Sequence, residues 1–222
     1  METTTLYVLA GPNGIGKTTS TYDLVPRTIP VINSDEIAKQ VKLAGIAADI
    51  NTQEYSNREA SKLVQDNIDK HISFGIETNL CDVETWKVLI GIRKIGYMVN
   101  LIFLSTDNIE ILNKRIEERS QRGEHFVTPT VVEERYNNSL KLLDHYFDIP
   151  DKIQLIDNSE NTLLILEKIA DKIKILSDQL PEWVNKYLGK HLSGKEDKVL
   201  QAKDFSTRED VKRMYQETLK KK

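Results

Sequence analysis

Apolar residues in this chain follow two patterns, short unbroken runs and stripes spaced three to four apart, and the two alternate along the sequence. Leu6-Tyr7-Val8-Leu9-Ala10 is a run closed by Gly11, as expected of a strand buried on both faces of a parallel sheet. Val31-Ile32-Asn33, set between Pro30 and Asp35-Glu36, predicts a short second strand, and Phe74-Gly75-Ile76-Glu77-Thr78 a third. Tyr97 to Leu104, interrupted by Asn100, predicts a fourth, and Gln154-Leu155-Ile156 a last one. Between them, Ala60, Val64, Ile68 and Ile72 stand four apart and predict a helix from Glu54 to Ile72. Val83 to Ile95, the stripe Ile109, Leu112 and Ile116, and Val131 to Tyr146 predict three more, and Asn161 to about Leu176 reads as a helix after the last strand. Such alternation implies an α/β fold whose parallel sheet is covered by helices on both faces, three layers in all.

The pattern changes after Leu176. Pro181 restarts the chain, and Trp183, Tyr187 and Leu188 are placed to dock on the body. Residues 191–222 carry nine Lys or Arg against six Asp or Glu, the composition of a solvated helical appendage. The expected division is a body at 1–178 and a charged helical C-terminal extension at 179–222.

The 222 residues are 39% hydrophobic and 29% charged, enough for a core and too apolar for general disorder. No run approaches the eighteen or so apolar residues of a membrane span. The start, Met1-Glu2-Thr3-Thr4-Thr5, has no basic region, and Leu6–Ala10 is too short for a signal core. Cys81 is the single cysteine, which excludes an internal disulfide framework. A net charge of −3 offers no global basic field for nucleic acid. The expectation is a soluble cytoplasmic protein with neither a membrane nor a nucleic-acid partner.

Chemistry enters at Gly11-Pro12-Asn13-Gly14-Ile15-Gly16-Lys17-Thr18, which satisfies G-x-x-x-x-G-K-[ST]. Gly14 and Gly16 permit positive φ, so successive N–H groups can turn toward phosphate oxygens. Lys17 supplies a cation to the β- and γ-phosphates, the Thr18 hydroxyl can ligate Mg²⁺, and the helix opening near Lys17 adds its positive end. The loop follows one predicted strand and opens a helix, the context this motif requires. No N-K-x-D base-reading motif of a GTPase is present. An apolar strand ending in Asp-Glu, expected of a machine-type ATPase, has only the short and polar Val31–Glu36 as a match. What remains is a small P-loop kinase using ATP, where the protein clamps phosphates and places an acceptor hydroxyl.

Asp35 follows the second strand, at the edge of the sheet where the crevice of an open α/β fold runs. Two readings stand: it accepts a proton from a substrate hydroxyl or holds Mg²⁺ through water, or else Ser34 or Asp35 caps the next helix. Glu77, ending the third strand beside the second, faces the same crevice or solvent. Arg115, Arg119, Arg122 and Arg135 fall in and around two helices joined by residues 123–129, a segment that in small kinases folds over ATP; each is alternatively a solvated helix residue.

In their order and spacing these landmarks resemble the zeta toxin family of P-loop kinases, related to the toxin of the epsilon–zeta toxin–antitoxin system. The residues concerned are Gly11 to Thr19 (GPNGIGKTT), Asn33-Ser34-Asp35, Phe74 to Leu80 (FGIETNL), Gly96-Tyr97, Arg119 with Gly123-Glu124-His125 and Val127, Arg135-Tyr136 with Ser139-Leu140, and Asp157-Asn158-Ser159. They span residues 6 to about 176, and the tail carries none. Glu124 stands where the family usually has a second glycine, and the usual proline after Val127 is displaced to Pro129.

The resemblance implies an ATP- or GTP-dependent kinase that phosphorylates a hydroxyl of UDP-N-acetylglucosamine, acts as a toxin and has an antitoxin partner. It makes Asp35 the base and Lys17 the phosphate ligand, with Gly11, Pro12, Asn13, Gly14, Ile15, Gly16, Thr18 and Thr19 around the nucleotide. Arg119 and Arg135 neutralise the transferring group, with Arg122 a competitor for the first of these places, and Glu77-Thr78 help to hold the sugar. A nucleotide-binding regulatory module and a housekeeping metabolite kinase remain as alternative readings.

Overall fold

The computed structural model describes residues 3–44, 51–121 and 126–192. Its strands are β1 (Thr5–Ala10), β2 (Val31–Ile32), β3 (Phe74–Thr78), β4 (Met98–Ser105), β5 (Lys152–Asp157), β6 (Leu163–Ile169) and β7 (Lys172–Ile175). The helices are α1 (Lys17–Leu24), α2 (Ser34–Leu43), α3 (Thr52–Asp69), α4 (Val83–Lys94), α5 (Ile109–Ser120), α6 (Pro129–His145) and α7 (Glu182–Leu192). One sheet contains all seven strands in the order β2-β3-β1-β4-β5-β6-β7. The first five run parallel, and β6 and β7 are antiparallel. Val99, Leu101, Ile102, Phe103 and Leu104 of β4 are all fully buried. Successive side chains of a strand point to opposite faces, so both faces of the sheet are covered, as the unbroken apolar run required. Among the described residues no helix is long and apolar enough to cross a membrane.

Strand order decides where chemistry can be built. Because β3 lies between β2 and β1, the carboxyl ends of β2, β3, β1, β4 and β5 lie along one edge. From that edge leave Asn33–Asp35, Glu77–Asn79, the Gly11–Gly16 loop, Thr106 and Asn158, in the crevice expected of an open α/β sheet.

Two sequence expectations are corrected. The predicted helix from Asn161 to Leu176 is the hairpin β6–β7, which extends the sheet beyond β5. Its apolar residues satisfy both periods, but only pairing closes the open edge of β5 while burying Ile165 and Leu166. Ala170 enters the connection with φ 49°, a left-handed conformation that no helical pattern announces. The helix α3 also ends earlier than its stripe suggested: Ala60, Val64 and Ile68 are buried, whereas Ile72 lies beyond the cap at Lys70 and is exposed.

The helix α7 packs into the core through Trp183, Val184 and Leu188, with the Trp183 ring 6.3 Å from that of Phe103 on β4. Its first turn is fixed by Asp107, whose carboxylate accepts from the backbone N–H groups of Glu182 at 2.8 Å and Trp183 at 2.7 Å. At its other end Lys190 and His191 both meet the Asp144 carboxylate of α6, at 2.6 and 2.8 Å. Residues 193–222, most of the expected charged extension, lie outside the described residues.

Candidate functional site

The loop between β1 and α1 takes the conformation its glycines allow. Gly11, Gly14 and Gly16 have φ of 139°, 77° and 92°. A Cβ on Gly11 would lie 2.2 Å from the Leu104 carbonyl oxygen and one on Gly14 2.6 Å from that of Leu112, so the loop is pressed against β4 and α5. Gly16 begins α1 without a side-chain cap, and no acid stands in the first turn. The first amide to find a helical acceptor is Ser20 N–H, on Gly16 O at 3.1 Å. The N–H groups before it and the positive end of the helix dipole suit an anion.

Lys17 is buried, and its ammonium donates to Gly11 O at 2.8 Å, Pro12 O at 3.0 Å and Asn79 Oδ1 at 3.0 Å. Beside it, the Thr18 hydroxyl donates to the Glu77 carboxylate, 3.1 Å from each oxygen. Asn33 completes the cluster by donating from Nδ2 to Glu77 Oε2 at 2.8 Å. Burial pushes the Glu77 carboxyl above its ordinary value, against the opposing pull of the Lys17 charge and of the Thr18 and Asn33 hydrogen bonds; the Asp35 charge adds to the rise. Asp35 stands in the first turn of α2, linked to this cluster through the Asn33 side chain. It is exposed, and neither it nor Ser34 is the cap: Asn33 Oδ1 accepts from Asp35 N–H at 2.9 Å and from Glu36 N–H at 3.3 Å. The capping alternative for Asp35 is corrected on that ground. Thr78 is buried, and its hydroxyl accepts from Leu80 N–H at 3.1 Å, supporting a turn in which Leu80 has φ 54°.

The opposite side of the loop is cationic. Arg135 on α6 donates from Nη1 to Asn13 Oδ1 at 3.0 Å. Arg115 on α5 donates to Asn158 O at 3.2 Å and Ser159 O at 3.4 Å, bracing the segment after β5. From that segment Asn158 Nδ2 reaches Ile15 O at 2.6 Å, a second tie to the loop. Arg119, one turn beyond Arg115, is exposed near the end of α5. Thr19 is exposed in the first turn of α1, and Pro12 and Ile15 are buried in the loop. Arg122, with Gly123, Glu124 and His125, lies outside the described residues.

A Mg²⁺ ion fits the oxygen donors on the β3 side. Mg²⁺ prefers one or two carboxylates plus substrate phosphates to an all-protein cage, and the described residues hold no cluster of three or more His, Cys, Asp or Glu. Thr18 and Glu77 are the residues able to hold it. Glu77, which the sequence placed at the crevice without a metal role, is the carboxylate that meets Thr18. The roles of Asn33 and Asn79 as partners of Glu77 and Lys17 were missed as well. Their only signal was their place in Asn33-Ser34-Asp35 and at the end of FGIETN.

No protein-family model matches the chain. A Haemophilus influenzae protein, described as uncharacterized, is 31% identical over 131 residues, covering 57% of this chain and 88% of that protein. Among solved structures, the crystal structure of AvrRxo1-ORF1:-ORF2 with ATP is similar at a TM-score of 0.64, with 13% identity over 99% of this chain and 76% of that one. The structure of the PezAT chromosomal toxin–antitoxin system of Streptococcus pneumoniae is similar at 0.54, with 16% identity over 100% of this chain and 89% of that one. At such identities the likeness is one of fold.

Proposed function

We propose that this chain, which belongs to the same family as the Haemophilus influenzae protein and has the fold of the zeta toxin-type P-loop kinases, is a phosphotransferase that moves the γ-phosphoryl group of ATP to a hydroxyl of a small molecule. One observation carries the reading: Glu77 accepts from the loop residue Thr18 on one side and from Asn33 on the other, and the Asn33 side chain in turn holds the Asp35 amide. A phosphate-binding end and a proton acceptor therefore share one crevice, which a protein that only binds nucleotide does not need.

In the proposed reaction the amides of the Gly11–Gly16 loop and the first turn of α1 cradle the phosphates. Lys17 exchanges its carbonyl and Asn79 partners for β- and γ-phosphate oxygens. Thr18 and Glu77 would hold Mg²⁺, which would supply neutralisation of the charge that develops during transfer. The acceptor oxygen forms the new bond to the γ-phosphorus as the bond to the β-bridging oxygen breaks. ADP leaves, and the hydroxyl proton passes to the Asp35 carboxylate. Arg135, from the other side of the loop, meets the charge that gathers on the transferring group, and Arg119 and Arg122 are the further candidates for that task.

The finer proposal is a nucleotide sugar as acceptor, UDP-N-acetylglucosamine first, with Asp35, Glu77 and Thr78 on its side of the crevice. Support comes from the ordered landmarks that resemble the zeta toxin family. We extend the proposal to a protein partner of antitoxin type, since the similar PezAT structure is of a toxin–antitoxin system and the AvrRxo1 structure pairs ORF1 with ORF2. The body at 1–178 would carry the reacting groups, with α7 of the segment from 179 completing its core. The test incubates the chain and Mg²⁺ with ATP, or with GTP, against a panel of nucleotide sugars and free sugars. A product 80 Da heavier than its acceptor by mass spectrometry is the expected result. ATP binding without any phosphorylated product would leave the regulatory module.

A further inference from the structure

Arg135 reaches the phosphate loop from a helix that is already fixed. Val132, Tyr136, Ser139, Leu140 and Leu143 of α6 are buried, and the Tyr136 hydroxyl donates to Thr106 O at 2.8 Å, at the end of β4. The loop is equally constrained at this point, since Asn13 stands between the buried Pro12 and Gly14, which is held against α5. Across that gap the guanidinium donates from Nη1 to Asn13 Oδ1 at 3.0 Å, joining residues 122 positions apart.

The chemistry of the acceptor matters. An amide oxygen orients a guanidinium without cancelling its charge, whereas a carboxylate would neutralise it and set a negative charge among the amides that receive phosphate. Arginine has five N–H donors in a rigid fork, so one bond to Asn13 leaves the others for phosphate oxygens. We propose that Asn13 is a positioning residue, whose side-chain oxygen holds Arg135 beside the phosphate loop before nucleotide arrives and keeps it aligned during transfer. This rests on the phosphotransferase reading above. An arginine held in place has lost its rotamer freedom before the reaction, so the benefit belongs in kcat and not in nucleotide affinity.

The test uses the slow hydrolysis of ATP, with water as acceptor, together with ADP binding by calorimetry. The full chain is compared with Asn13→Ala, Asn13→Asp, Arg135→Ala and the double variant Asn13→Ala/Arg135→Ala. Asn13→Ala is expected to lower turnover about tenfold, leave ADP affinity within about twofold and cost nothing further in the absence of Arg135. Asn13→Asp should keep the arginine in place but weaken ADP binding about tenfold at low ionic strength. An equal loss from Asn13→Ala with and without Arg135 would overturn the proposal, leaving Asn13 a residue that only shapes the turn. A second measurement needs no turnover: NMR of ¹⁵N-arginine in the nucleotide-free chain. A slowly rotating Arg135 guanidinium is expected in the parent and in Asn13→Asp, and a freely rotating one in Asn13→Ala. Identical signals in all three would overturn the holding contact. The expected NMR response in a chain that neither hydrolyses ATP nor phosphorylates any acceptor of the panel above would support that contact and sink the phosphotransferase reading instead.

Discussion

The two sides of the phosphate loop are built differently. On the β3 side, Lys17, Thr18, Asn33, Glu77 and Asn79 are joined by hydrogen bonds of 2.8–3.1 Å and stand on strand ends or the first turns that follow them. On the other side the cations come from helices. Arg135 touches Asn13, Arg115 is committed to the carbonyls of Asn158 and Ser159, and Arg119 is exposed. In the proposed reaction, groups that must be in place for phosphate to bind at all stand on the rigid sheet edge. Groups whose partner gathers charge only during transfer can stand on helices, where a small displacement costs rate and spares binding.

Removing Lys17 should break the first side altogether. Lys17→Ala is expected to reduce turnover on the order of a thousandfold or more. It should also lower Tm, because Gly11 O, Pro12 O and Asn79 Oδ1 lose a buried donor. Initial rates and a thermal melt on the same preparation check both halves.

Asp35→Asn follows, with a loss of a hundredfold or more (about 3 kcal/mol) in kcat and little change in nucleotide affinity. Since Asn33 caps α2, Tm should not move. A normal kcat would remove Asp35 from the chemistry.

The third comparison lies within the helical side. Arg135→Ala should cost about a hundredfold in kcat and Arg119→Ala about tenfold, each with modest loss of ATP binding. The reverse order in one assay would mean that the exposed arginine, and not the one resting on the loop, meets the transferring group.

The smallest effect is a pH dependence of stability at Glu77. Its folded pKa is raised above the ordinary 4.5, so between those values the folded chain binds more protons than the unfolded one. Stability from this residue is therefore full below the ordinary value and is lost as pH rises through the folded one. Glu77→Gln should melt higher than the parent at about pH 8, with the gap closing toward about pH 4, although its Mg²⁺ requirement for turnover should rise. A gap that widens on acidification would reverse the sign of the argument.

Much of this arrangement could be read from the sequence because it is local. The loop announces itself by glycine and lysine spacing, β4 by its apolar run, and Asp35 by its place after a strand. Contacts that depend on register could not be read. Thr18 meets Glu77 because β1 pairs β3 with Leu9 opposite Glu77 and Ala10 opposite Thr78, and nothing in either segment specifies that offset. Asn13, Asn33 and Asn79 carry no charge, so they gave no electrostatic signal, yet they hold Arg135, Glu77 and Lys17. The hairpin β6–β7 was hidden for another reason. Leu163–Ile175 fits a helical stripe as well as a strand alternation, and only the open edge of β5 separates the two.

The position of α7 has a consequence for biosynthesis. Every described group of the site is translated before residue 160, whereas Trp183, Val184 and Leu188, which cover Phe103 and its neighbours, come later. At about 5–20 residues per second the nascent chain spends a second or more with its phosphate loop complete and one stretch of the central strand still bare. Only after that interval can Asp107, just past β4, receive the amides of Glu182 and Trp183 and Trp183 meet Phe103. Competence should therefore arrive late in synthesis, and a chain released before Pro181 should reach the cell as a substrate for chaperones and proteases.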